Sequence, residues 1–81
     1  MASKPGMTAK QGQYLAFIHY YIKLNRRAPA EADLQRYFQV TPPTVHQMLL
    51  TLEARGLIAR ERGVPRSIRI LAPRESIPDI E

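Results

Sequence analysis

The periodicity of this chain changes at Gly56, and that change most limits what it can fold into. Before Gly56, apolar residues recur at helical spacing in separate blocks; after it, they alternate. Tyr14, Leu15, Ile18, Tyr21 and Ile22 share one broad helical face, the pattern of a helix that buries a stripe. Thr8-Ala9-Lys10-Gln11 precedes it with a hydroxyl at the N-cap and a Gln three residues later. A first helix is therefore predicted over residues 9–24. Asn25-Arg26-Arg27 closes it, and Pro29 prevents its continuation.

A short second helix is predicted over residues 30–37, with Ala32, Leu34 and Phe38 turned inward. Glu31 and Asp33 occupy its first turn, where the helix dipole favours acids. Gln39-Val40 forms a tight turn, with Val40 as its apolar plug. Thr41-Pro42 then opens a third helix, an N-cap residue followed by proline at the first helical position. Val45, Met48, Leu49 and Leu52 stand at i, i+3, i+4 and i+7, and Gly56 is a C-terminal stop, giving a helix over residues 42–55. Beyond it, residues 57–60 and 67–70 read as strands, joined by a loop containing Gly63 and Pro65. The expected fold is α+β, mainly α: a three-helix winged helix-turn-helix with a C-terminal two-stranded β-hairpin wing. Residues 1–7 read as a flexible leader, 8–72 as the folded domain, and 73–81 as a flexible acidic tail.

Composition narrows the chemistry. A chain of 81 residues makes one small domain, and with no cysteine it has neither disulfides nor thiolate metal sites. The two histidines, His19 and His46, lack a partner set, so no metal and no cofactor is expected. No apolar run approaches the roughly 20 residues that span a bilayer, and no apolar segment follows Lys4 as in a signal peptide. The expectation is a cytoplasmic protein without a membrane partner. Charge is uneven: residues 1–72 carry +7 and residues 73–81 carry −2. A basic folded part suits a polyanion.

The chain resembles the DNA-binding domain of LexA-type repressors over residues 7–71. Met7-Thr8-Ala9-Lys10-Gln11, Ala28-Pro29, Thr41-Pro42, then Leu49, Leu52, Glu53, Gly56, Leu57 and Ile58, and finally Pro65-Arg66-Ser67-Ile68-Arg69-Ile70-Leu71 carry the likeness by order and spacing. The resemblance implies operator binding and transcriptional regulation. Such repressors also carry a self-cleaving serine–lysine peptidase domain that supplies much of their dimerisation. These 81 residues hold none, which implies binding without that switch and leaves a homodimer on DNA open. Departures from the family pattern are Ala30, where a Thr N-cap is usual, Pro43 after Pro42, and Leu50 at a usually polar position. Sequence preference is therefore not inherited.

With the apolar stripe inward, the outer face of the third helix carries Thr41, Pro43, Thr44, His46 and Gln47 as candidate major-groove contacts. Gln can bond adenine bidentately, and a Thr methyl can meet the thymine methyl. The same residues also suit a merely solvated helix face; the helix-turn-helix context favours contact. Arg55, Arg60, Arg62, Arg66 and Arg69 cluster on and around the hairpin against only Glu61, with Arg62 and Arg66 the candidate wing contacts to backbone or minor groove. Lys10 and Gln11 at the start of the first helix are candidate phosphate contacts. Catalysis is not expected, since no nucleophile–base pair or phosphate loop is recognisable. The alternative function is a protein-interaction module, binding another protein through Tyr20 and Leu50, both expected to be exposed.

Overall fold

The computed structural model describes residues 7–81. The expected leader lies, apart from Met7, outside the described residues; Met7 itself packs against the core. Helix α1 (Ala9–Asn25) begins with the reciprocal box its sequence implied. Gln11 N–H donates to Thr8 Oγ1 at 3.0 Å and Thr8 N–H donates to Gln11 Oε1 at 3.1 Å. It ends at Arg26, whose left-handed backbone (φ 62°) lets its N–H reach Ile22 O at 2.8 Å. Tyr14, Leu15, Ala16 and Ile18 are buried along its inner face.

Helix α2 (Glu31–Phe38) is only two turns long and buries a single residue fully, Leu34. Ala32, expected inward, is exposed, because two residues of helix rotate it by about 200° from Leu34. Phe38 lies one turn beyond Leu34, and its ring stacks on Tyr14 at 4.0 Å. Gln39 takes the left-handed turn (φ 55°) into Val40, which plugs the corner half-buried. Helix α3 (Pro42–Ala54) follows, with Val45, Leu49 and Leu52 buried against the first two helices and Met48 half-buried beside them.

After Gly56, at φ 72°, strands β1 (Ile58–Ala59) and β2 (Arg69–Ile70) pair antiparallel, Ile58 opposite Ile70 and Ala59 opposite Arg69. The ladder is shorter than the alternation predicted. Ser67 is the physical reason: its Oγ accepts from Glu61 N–H at 2.9 Å and donates to Val64 O at 2.8 Å, so side-chain bonds replace ladder bonds at the hairpin's mouth. Three helices and an antiparallel hairpin thus form the winged helix-turn-helix that the sequence predicts.

Two further expectations fail. The tail, expected to be flexible, is folded onto α1. A short 3-10 turn (Arg74–Ser76) drives Ile77 into the core, where it is 6% exposed. Gln13 then clamps the backbone beyond it, donating from Nε2 to Asp79 O at 3.0 Å and accepting from Glu81 N–H at 2.9 Å through Oε1. Tyr37 Oη donates to Glu81 O at 3.1 Å. Tyr20, expected to be exposed, is half-buried for the same reason: Arg74 of this strap covers its ring and bonds its hydroxyl at 3.4 Å.

Candidate nucleic-acid interface

The outer face of α3 is free of the fold. Thr41, Pro43, Thr44, His46 and Gln47 are all exposed, and Leu50 extends the face at 41% exposure. Thr41 has N-cap backbone geometry, yet its hydroxyl does not cap; it bonds Thr44 Oγ1 at 3.0 Å. Prolines 42 and 43 have no N–H, and the amides of Thr44 and Val45 both bond Thr41 O at 3.0 and 3.2 Å. The helix end thus has few backbone donors left for a phosphate. What it presents is side chains, the requirement for reading base edges rather than for gripping a backbone.

The start of α1 differs. Gln11, a sequence candidate for phosphate contact, is buried at 7% exposure with its amide consumed in the capping box. Lys10 is exposed, its ammonium 5.7 Å from the centre of the Phe38 ring, beside the helix-turn-helix corner. The structure therefore places one of this pair at the surface and the other inside.

The arginine cluster separates into two groups. Arg55, Arg62 and Arg69 are exposed and form no ion pair among the described residues. Arg60 is sequestered: its Nε donates to Glu53 at 3.1 Å and its Nη1 to Glu31 at 2.9 Å, tying β1 to α3 and α2. Arg66 is turned inward from the wing. Its Nη1 donates to Tyr21 Oη at 3.1 Å and Ala28 O at 3.3 Å, and lies 3.2 Å from Asp33 Oδ2. The backbone of Arg66 is left-handed (φ 57°), which aims its side chain back at the body. The bond to Tyr21 and the Asp33 carboxylate hold its guanidinium above its ordinary pKa. Asp33 is correspondingly held below 3.8, first by the Ala30 N–H that donates to it at 2.8 Å, then by Arg66 and Arg36. No sequence signal distinguishes these two arginines from their neighbours, since apart from Glu53 their partners lie about 30 or more residues away along the chain.

Between α3 and the wing lies an open groove of about 670 Å³, lined by His46, Leu50, Glu53, Arg60, Arg62 and Val64. Recognition helix and wing tip thus form its two banks, with Arg62 on the far one. Among the described residues no cluster of three His, Cys, Asp or Glu side chains could hold a metal, and no helix is long and apolar enough to cross a membrane.

The family profile of the LexA DNA binding domain matches residues 4–67. This chain belongs to that family. The LexA-type domain is 38% identical over 64 residues to the LexA repressor of Thermotoga neapolitana, covering 79% of this chain and 32% of that relative. It is 37% identical over 71 residues to the LexA repressor of Thermosipho melanesiensis, covering 88% and 36% respectively. The LexA repressor of Thermotoga maritima is 36% identical over 64 residues. The chain spans about a third of the length of these relatives. The matched segment runs through α1, the helix-turn-helix and the wing loop, the elements that hold every candidate contact above.

Proposed function

We propose that this chain binds double-stranded DNA in a sequence-dependent way, as the operator-reading part of a prokaryotic transcriptional repressor. Helix α3 enters the major groove, where Thr41, Pro43, Thr44, His46 and Gln47 meet base edges. Arg62 at the wing tip reaches the backbone or the adjacent minor groove, and Lys10 meets a phosphate beside α1. The role is binding, not catalysis, and its place is the cytoplasm, on the nucleoid. Two copies on a palindromic site are the expected stoichiometry, as operator symmetry usually mirrors protein symmetry.

The observation that most supports this reading is the pairing of an exposed, donor- and methyl-bearing α3 face with an exposed Arg62 across one groove. Both can be tested on one footing. Duplex affinity should fall with salt at a slope of about 0.9 per phosphate contact in log–log form, and Arg62→Ala should lower both affinity and slope on every sequence. Gln47→Ala should instead relax preference at one base pair, by about 1–3 kcal/mol of discrimination. Selection on random duplexes, followed by titration of the winning site, measures all three. Absence of duplex binding at low salt would overturn the reading.

A further inference from the structure

Arg66 looks, from its position in a basic hairpin, like one more cation offered to DNA, but its surroundings suit a different task. It leaves the wing loop at a left-handed backbone position and reaches across to three separate elements: Tyr21 on α1, the Ala28 carbonyl between α1 and α2, and Asp33 on α2. Asp33 is 12% exposed and is itself fixed, because its Oδ2 accepts from Ala30 N–H at the start of α2. Elsewhere, Ile68 anchors the second strand in the core and Ser67 closes the loop on itself, but neither ties the loop tip to the helices. The ladder holds two residue pairs, and the loop beyond it is exposed from Glu61 to Pro65. A two-stranded ribbon of this length is marginal alone. On the other side of the loop Arg60 reaches Glu53 on α3 and Glu31 on α2. Both feet of the wing loop are therefore fastened by arginines to acids of the helical body.

We propose that Arg66 is a positioning residue: through Tyr21, Ala28 and Asp33 it fixes the angle of the wing to α3, and it makes no phosphate contact of its own. The consequence reverses simple electrostatics. Asp33 is an acid in a polyanion-binding domain, yet it promotes binding, because it holds the wing where Arg62 can reach the duplex. Any wing contact made by a cation on a swinging loop would carry an ordering penalty that the clamp removes in advance. The effect on DNA affinity rests on the proposed duplex binding; the effect on wing order does not.

The test uses three variants of the intact chain. Asp33→Asn keeps an oxygen to accept from Ala30 N–H but removes the charge. Tyr21→Phe removes one hydroxyl and leaves charge and ring packing in place. Arg66→Lys keeps the cation but loses the planar fork that serves several acceptors at once. In the free protein, amide relaxation and residual dipolar couplings should show residues 61–66 more mobile and reoriented against α3 in all three, with α1 to α3 unchanged. On duplex DNA, Asp33→Asn should weaken binding about five- to tenfold, the order of one or two lost phosphate contacts, although it raises the chain's +5 net charge by one. Arg66→Lys should lose a similar factor. Unchanged wing order in the free variants would overturn the clamp whatever the DNA result. Tighter DNA binding by Asp33→Asn, or full retention by Arg66→Lys, would overturn its role in binding. If the wild-type chain binds no duplex, the relaxation data alone still judge whether Arg66 orients the wing.

Discussion

Ala30 shows how a single residue can leave half of a structural device in place. It has the extended backbone of an N-cap (φ −82°, ψ 164°), and Asp33 three residues on accepts its N–H as the second half of a capping box. The first half is missing, because a methyl group cannot accept from the Asp33 N–H. Ala30→Ser should therefore stabilise the fold by about 1 kcal/mol, read as a higher urea midpoint at unchanged m-value. An unchanged midpoint would mean that the backbone bond from Asp33 N–H to Ala30 O, at 3.0 Å, already satisfies the donor. The same scale holds the main revision to the candidate contacts. Gln11 and Arg66 are legible in the sequence as polar candidates for DNA contact, but their side chains turn inward to a cap and a clamp. Whether a long polar side chain points out or back depends on acceptors brought near by other elements, which local spacing does not encode.

Elements show the converse, since their types and order follow from periodicity while their extents depend on what they meet. The three helices fall within a residue or so of the sequence reading, because caps, prolines and left-handed stops act locally. The strands shrink to two pairs because Ser67 diverts the backbone groups a longer ladder would use. The strap after β2 is the clearest divergence. Its prolines and acids read as a mobile tail, yet Ile77 and Ile80 pack against the core and Gln13 satisfies the polar backbone on either side of Ile80. Gly12 permits this approach: a Cβ there would sit 3.1 Å from Pro78 Cγ. Ile77→Ala should lower stability by about 2 kcal/mol, the low end for an aliphatic truncation because the site is at the core's margin. It should also expose residues 73–81 to proteolysis ahead of global unfolding. Equal protease resistance in wild type and variant would sink the strap.

At the scale of the whole molecule, pH tests how the parts are tied together. The His19 pKa is lowered, chiefly by burial and then by Arg74 and Lys23, and its buried Nε2 has no hydrogen-bond partner among the described residues. The unfolded chain therefore takes up this proton first, and stability should begin to fall as pH drops through about 6.5. Asp33 acts in a lower window. Its contribution is fully present above its unfolded value near 3.8 and is lost as pH falls through the lower folded value. Thermal melts across pH 3–8 should thus show two separate declines. Replacing His19 with Gln should remove the upper one, and Asp33→Asn should weaken the lower one. A single decline unaffected by His19→Gln would refute the first assignment.

The sequence by itself determined the class of the domain, its element order, its family likeness, and the side chains that α3 carries outward. These follow from short-range rules: helical and alternating periods, N-caps, proline and glycine at helix ends. Tertiary structure decided which of the basic residues remain free. Arg62 and Arg66 are four residues apart on one loop and chemically identical, yet one is exposed and the other is clamped by groups 33 to 45 residues distant along the chain. Charge is a property of composition, but the availability of a charge depends on long-range contacts that exist only once α1, α2 and the wing have come together.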